Sequence, residues 1–351
     1  MPEPSTKTGI VADNRYMEHD PGSYHVESPE RLRAIYELFA EPDFKDKFVK
    51  VEPRPGGHEE LSWNHTKGHI KRIAATAGKA VSHLDPDTRT SETSYDVALL
   101  AVGGVFSLVD ALFDKKIANG FALVRPPGHH AEADQAMGFC LFNNIALGAH
   151  YLINRYGLKR ILIVDWDIHH GNGTQHSFYD RSDVLYFSTH QFPYYPGTGN
   201  FSEAGSGAGE GYTVNIPLPG GQDEGEYMAI FQNILRPVAL EYKPEIVLVS
   251  AGFDIYYKDP LGTMQVTEKG FAGLTRILMD IAGTCCEGRL LLVLEGGYNV
   301  TGQKESVRAV LNELSGASIL GKDFSPPGED KAPAIIKRAK EAHKKYWPCL
   351  R

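Results

Sequence analysis

The run Ile161-Leu162-Ile163-Val164-Asp165-Trp166-Asp167-Ile168-His169-His170-Gly171 carries the reading of the fold. Its first four residues are aliphatic without alternation, the pattern of a strand buried on both faces of a parallel sheet. The run then turns at once into carboxylates and imidazoles, and ligands of open parallel sheets bind beyond the carboxyl ends of the strands. The same signature recurs on both sides of it: FALV at 121–124, VLYFSTH at 184–190, IVLVSAGFD at 246–254 and LLLVLEGGY at 290–298. Helical patterns at 145–156, 225–242 and 268–286 separate these runs. Strands and helices alternating in this way predict one α/β domain, doubly wound around a mainly parallel sheet.

Nothing in the rest of the 351 residues divides the chain, so the single domain is expected to span 1–351. The segment 323–331 (DFSPPGEDK) sets off a basic C-terminal helix at about 331–351. On that helix Ile335, Ile336, Ala339 and Ala342 fall on one face and Lys337, Lys340, Lys344 and Lys345 on the other. Two long loops, 125–140 and 191–211, are rich in Gly, Pro and aromatics, and loops of that size in a compact domain are usually functional.

With 42% hydrophobic and 23% charged residues, the composition is that of a globular protein with a large core. A formal charge of -8 disfavours stable binding to phosphate backbones, although 331–351 holds seven basic side chains against one acidic one. The four cysteines, Cys140, Cys285, Cys286 and Cys349, show no CxxC spacing and fit a reducing compartment. Neither a signal-peptide pattern nor an apolar run of about 18 residues is seen, so a cytoplasmic location without a membrane partner is expected.

Asp167 and His169 lie two apart on an extended segment and so project to the same side. Asp254 ends a neighbouring strand at Ser250-Ala251-Gly252-Phe253-Asp254. Two carboxylates and one imidazole make a divalent-metal set that keeps a position open, as in catalytic rather than structural zinc sites, although the ligand types also admit Fe(II), Co(II) or Mn(II). An isolated DxH is as readily a helix cap. Here Asp165, Asp167, His169, His170 and Asp254 together would be a costly nest of buried charge without a cation.

Two further clusters bear on chemistry. Arg125-Pro126-Pro127-Gly128-His129-His130 holds a tandem histidine, the side chain able to accept a proton and return it near neutral pH, although an HH pair alone is more often surface or packing. Glu295-Gly296-Gly297-Tyr298 ends the last strong strand, where glycines let the chain turn and a tyrosine hydroxyl can donate to an oxyanion. Without the other clusters, a Gly-Gly turn before a core aromatic is the simpler reading.

Taken in order, RPPGHH, GFCLFNN, DWDIHHGNGT, PGTG, SAGFD, DPLG and EGGY resemble the zinc-dependent histone deacetylase family. The chain is similar to its class II branch and to the bacterial histone-deacetylase-like amidohydrolases and acetylpolyamine amidohydrolases, across about residues 10–315. The resemblance implies the arginase/deacetylase fold, a mainly parallel sheet of about eight strands flanked by helices, and one catalytic Zn(II). It implies Asp167, His169 and Asp254 as zinc ligands, His130 as general base and then acid, His129 as its electrostatic partner, and Tyr298 as the carbonyl-polarising residue. Asp165 would orient His129, while Asn172 stands where class I members have an aspartate. An amide there makes His130 less basic and better suited to begin the reaction neutral.

By the same resemblance, Phe139 and Tyr195 line the acyl-lysine tunnel, Tyr195 in place of the usual Phe. Gly138 offers a carbonyl to the amide N–H, and Arg31, Gly296 and Gly297 join the substrate-binding set. Leu261 takes the gate where polyamine-selective members carry a glutamate, which favours acyl-lysine proteins or peptides over acylated small amines. Hydroxamate-type inhibitors are expected to bind. Two K(+) or Na(+) sites are implied, one using Asp165, Asp167, His169, Ser188 and Thr189 and one near Phe178, Arg181, Val184 and Tyr212. The expected activity is hydrolysis of acetyl or other acyl groups from lysine side chains. Its rivals are an acetylpolyamine deacetylase, a weakly catalytic acyl-lysine binding module, and a two-metal arginase-like hydrolase.

Overall fold

The computed structural model describes residues 7–321 and 323–351. Its strands, in chain order, are β1 (Thr8–Val11), β2 (Val49–Lys50), β3 (Ser82–His83), β4 (Arg89–Thr90), β5 (Asn119–Ala122), β6 (Ile161–Asp165), β7 (Val184–Gln191), β8 (Thr213–Leu218), β9 (Ile246–Ala251) and β10 (Leu290–Leu294). Eight of them form one sheet in the order β2-β1-β5-β10-β9-β6-β7-β8, with every neighbouring pair parallel. The remaining two, β3 and β4, make a small antiparallel ribbon.

Central strands β6, β9 and β10 are buried along their whole length, which is why their sequence shows no polar alternation. Helices cover the sheet. Ser94–Phe113 packs on Asn144–Tyr156, and Glu268–Cys285 on Val300–Leu314. Local chemistry sets their ends. The Asn143 side chain accepts from Ala146 N–H to start Asn144–Tyr156, and Gly157 closes it at φ 71° in the left-handed region. Asp223 and Glu226 form a reciprocal capping box at Glu224–Ile230.

Several elements differ from the sequence expectation. Helix Ser94–Phe113 was not anticipated, although it is apolar enough in length and composition to cross a membrane. Most of it is buried inside the protein. Strands β1, β2 and β8 were also not anticipated. The first two are short, and β8 contains Pro217, which is tolerated because β8 is the sheet edge. The C-terminal helix is shorter than 331–351 and spans Pro333–His343. Its buried face is Ile336, Ala339 and His343, with Ile335 and Ala342 only half-buried.

His343 makes a stability prediction possible. Burial pushes its imidazole down to about 4, and neither ring nitrogen has a hydrogen-bond partner among the described residues. In the unfolded chain the ring takes up a proton below about pH 6.5. The unfolded state therefore binds more protons as pH falls from about 6.5 towards 4, and stability is lost over that window. His343→Leu is expected to raise the melting temperature, and by more at about pH 5 than at about pH 7. An equal gain at both pH values in calorimetry would show that the native ring already holds its proton.

Candidate active site and metal centre

From β6 the chain runs outward through β7 and β8, then crosses back to place β9 on the other side of β6. That reversal is the switch point at which open α/β sheets bind their ligands. In register there, Asp165 pairs with both Ser188 of β7 and Ser250 of β9. Asp167 and His169 follow β6, and Asp254 follows β9, so two neighbouring carboxyl ends aim at one point.

His169 Nδ1 lies 3.1 Å from Asp167 Oδ1 and 3.1 Å from Asp254 Oδ2, and all three residues are buried. The ligand atoms of the three lie within 4.8 Å of one another. The remaining carboxylate oxygens accept main-chain hydrogen bonds. Gly296 N–H donates to Asp167 Oδ2 at 2.8 Å, and Ile168 N–H to Asp254 Oδ1 at 2.8 Å. Gly252 and Gly296 wall the pair. A Cβ would stand 2.1 Å from Asp167 Oδ2 at the first position and 2.3 Å from Asp254 Oδ2 at the second. Burial and the neighbouring Asp167 push Asp254 up to about 7, the cost of two carboxylates sharing a buried site. This donor set fits a small divalent cation, whose charge offsets that cost.

The tandem histidines sit beside this centre, with ring centroids 4.0 Å apart. His129 Nδ1 lies 3.0 Å from Asp165 Oδ2, and Tyr186 donates to the same oxygen at 3.0 Å. Burial opposes charge on His129, but Asp165, Asp167 and Glu295 outweigh it and hold the ring up to about 10. His130 Nδ1 lies 2.8 Å from Asn172 Oδ1, an acceptor that keeps the proton on Nδ1 and leaves Nε2 free. Burial first, then the charged His129 beside it, hold His130 well below the usual imidazole range. The two rings are thus pushed apart, one charged and one neutral, which suits the second to accept a proton.

Tyr298 stands half-buried across from the histidines, its ring edge-on to Phe139 at 5.9 Å and 5.1 Å from the Arg31 guanidinium. Burial raises its hydroxyl well above the usual phenol range, so it stays a proton donor. Loop chemistry that the sequence reading did not anticipate holds it there. Asp259 Oδ2 accepts from Tyr298 N–H at 2.7 Å and Asn299 N–H at 3.0 Å, while its Oδ1 accepts from Leu261 N–H at 2.9 Å. Glu295 likewise accepts from Gly128 N–H at 2.7 Å and His129 N–H at 3.1 Å, tying the histidine loop to β10.

A cavity of about 220 Å³ is lined by Asp87, His130, Gly138, Phe139, His169, Tyr194, Tyr195, Leu261 and Tyr298. It gathers Gly138, Phe139, Tyr195 and Leu261 as expected of a substrate channel. Tyr195 stands edge-on to His130 at 5.1 Å. Gly138 has φ 55°, and a Cβ there would stand 2.3 Å from His130 Cδ2, so only glycine admits this approach. Asp87 was not singled out in the sequence, and its Oδ1 accepts from Gly138 N–H at 3.2 Å.

Three residues expected in the substrate-binding set lie behind the cavity instead. Arg31 is fully buried and donates from Nε to Gly297 O at 2.7 Å and from a terminal nitrogen to Glu295 O at 2.5 Å. Its third arm meets Glu27, which also pairs with buried Arg125. Gly296 spends its N–H on Asp167, and Gly297 its carbonyl on Arg31. Each glycine has its own reason: Gly296 packs directly against the Asp167 and Asp254 carboxylates, while Gly297 packs on Phe253 at φ 116° in the left-handed region.

Residues 25–314 match the histone deacetylase domain. The chain belongs to the histone deacetylase family. It is 37% identical over 359 residues to a probable deacetylase of Archaeoglobus fulgidus, covering 98% of this chain and 99% of that one. Against histone deacetylase 15 of Arabidopsis thaliana the identity is 40% over 321 residues, and the chain spans 57% of that protein's length. A crystal structure of the HDA15 HD domain superposes with a TM-score of 0.90 at 37% identity, covering 99% of this chain and 97% of that one. The fold is thus the arginase/deacetylase fold, and the chain is a deacetylase, a hydrolase of amide bonds.

In this deacetylase the residues expected around the first monovalent ion lie on β6 and β7 or just after β6. Asp165 lies in register with Ser188, whose hydroxyl meets His190 Nδ1 at 2.9 Å, and the Thr189 hydroxyl is buried without a partner among the described residues. Around the second position Phe178 O accepts from Arg181 N–H at 3.1 Å and Tyr212 O from Tyr186 N–H at 2.9 Å, while Val184 begins β7.

Proposed function

We propose that this deacetylase removes acetyl or other acyl groups from lysine side chains with zinc as its catalytic ion. The observation that carries the reading is the convergence of Asp167, His169 and Asp254 with a neutral His130 and with Tyr298 around one narrow, partly aromatic cavity. Zinc held by those three residues supplies Lewis acidity toward water and an amide carbonyl. The protein's own groups do the rest. His130 Nε2 takes a proton from the attacking water, and Tyr298 donates a hydrogen bond to the carbonyl oxygen as it gains charge. A C–O bond forms and the C–N bond breaks. His130 returns its proton to the departing amine, leaving lysine and a carboxylate. His129, charged and held by Asp165, stabilises the negative charge beside it.

Phe139 and Tyr195 suit a slim alkyl stem, and Leu261 brings no charge to the mouth. Peptide or protein acyl-lysine is therefore the favoured substrate class, with hydroxamates as metal-directed inhibitors and K(+) or Na(+) at the two carbonyl-rich positions. Asp87 supports a second reading. Its carboxylate lines the cavity and supplies the acid that Leu261 lacks, which suits a second ammonium on an acylated polyamine.

The test is hydrolysis of matched acetyl-lysine peptide and acetylpolyamine by protein stripped with a chelator and reloaded with zinc. Activity is expected to vanish, return with zinc and favour the peptide. Tyr298→Phe removes one oxyanion donor and should lower kcat by about 100-fold or more. Near-wild-type turnover in that variant would remove Tyr298 from the mechanism, and preference for the polyamine would select the Asp87 reading.

A further inference from the structure

The amide that faces the catalytic histidine has two ends of nearly the same shape. Asn172 Oδ1 accepts from His130 Nδ1–H only if the NH2 end is turned away. Rotated, the amide would present N–H to Nδ1 and favour the tautomer whose Nε2 carries the proton. That ring could not accept a proton from water. An aspartate at this position would have no such ambiguity, because both of its oxygens accept.

The NH2 end is met by acceptors. Glu132 Oε1 lies 2.5 Å from Asn172 Nδ2, and His130 O and Met137 Sδ lie at 3.3 and 3.5 Å. Of these only Glu132 carries a charge, and a rotated Asn172 would aim its oxygen at that carboxylate. Glu132 is in turn held from three sides. His176 Nδ1 stands 2.9 and 3.1 Å from its two oxygens. Gln135 O accepts from its main-chain N–H at 2.9 Å. Its carbonyl accepts from His65 Nδ1 at 2.9 Å, since His65 Nε2 is already accepting from Asn143 N–H. His176 is half-exposed, so the chain His130, Asn172, Glu132, His176 leads from the site to the surface.

We propose that Glu132 is a positioning residue that fixes the Asn172 amide, and through it the His130 tautomer, with His176 as its outer brace. The proposal rests on the reading of His130 as the base. Glu132→Gln keeps the shape but replaces an obligate acceptor with an amide that can pair with Asn172 in either orientation. It is expected to lower kcat by roughly tenfold or more, with KM and bound zinc unchanged. Asn172→Asp on its own places two carboxylates together and should also lose activity. The double variant, with an acceptor that needs no lock, should recover most of the wild-type kcat.

Nitrogen NMR of histidine-labelled protein gives a readout apart from turnover. One His130 tautomer, protonated at Nδ1, is expected in the wild type and double variant, and a mixture in Glu132→Gln. Wild-type kcat with a single tautomer in Glu132→Gln overturns the proposal. So does a loss that the double variant fails to restore, and that comparison still decides if Glu132→Gln lowers the melting temperature, because both proteins carry it. Should the wild type show no deacylation, the functional reading fails while the tautomer measurement still tests the lock.

Discussion

His130→Ala lowers kcat on an acetyl-lysine peptide by about 10²- to 10⁴-fold, the range that a positioned general base contributes, and leaves bound zinc unchanged. The expectation follows from the separation of roles in the site. His130 is not among the converging ligand atoms, and its ring centroid lies 5.8 Å from that of His169. Its neighbour cannot take over, because His129 is held charged by Asp165, Asp167 and Glu295 and has no free lone pair to offer. The measurement is steady-state kinetics alongside metal analysis. A rate that ignores the substitution would assign the base to another group, and a parallel loss of metal would mean that His130 supports the ligand set as well.

The second large effect comes from a residue without a side chain. Gly296→Ala would set a methyl group 2.3 Å from Asp254 Oδ2 and 2.6 Å from Asp167 Oδ2. Neither carboxylate is a free end that can swing aside, since each is already bonded to the main chain. One of them must leave its place, so metal affinity is expected to fall by at least 10- to 100-fold, roughly the loss seen when groups that orient ligands are removed. Overpacking of this kind costs about 1 to 3 kcal/mol, so the fold should survive. Competition with a chelator of known affinity checks it, with circular dichroism to show that the protein is folded. Unchanged affinity would show that the two carboxylates can relax together.

The sequence was legible where burial is complete. Strands β6, β9 and β10 appear as aliphatic runs, and β7 as a run that opens apolar, because both faces are covered, and Asp167, His169 and Asp254 stand out because charge directly after such runs has no packing role. Edge elements were not legible. Two residues of β2 leave no periodicity to read, and Pro217 argues against a strand until its edge position is known. Side chains that act across the fold were hidden for a different reason. Glu132 and Asp87 sit in loops without pattern and Asp259 is legible only as the start of DPLG, and their partners Asn172, Gly138 and Tyr298 lie 40, 51 and 39 positions away. Of the two glycines expected to let the chain turn, Gly297 does so at φ 116°, whereas Gly296 is used for its lack of volume.

The main-chain hydrogen bonds to Asp167 Oδ2 and Asp254 Oδ1 bear on the denticity of the centre. Those bonds favour the opposite oxygen of each carboxylate for an ion, and on Asp167 that oxygen, Oδ1, also accepts from His169 N–H at 2.9 Å. The protein then presents three donors, two of oxygen and one of nitrogen. Calcium, which takes about six to eight oxygens, would find only the two carboxylates among its preferred donors. A small borderline ion of about four partners finds three, and keeps room for the oxygens of water and substrate. Three peptide N–H groups, those of Ile168, His169 and Gly296, thus orient the carboxylates that would touch the ion.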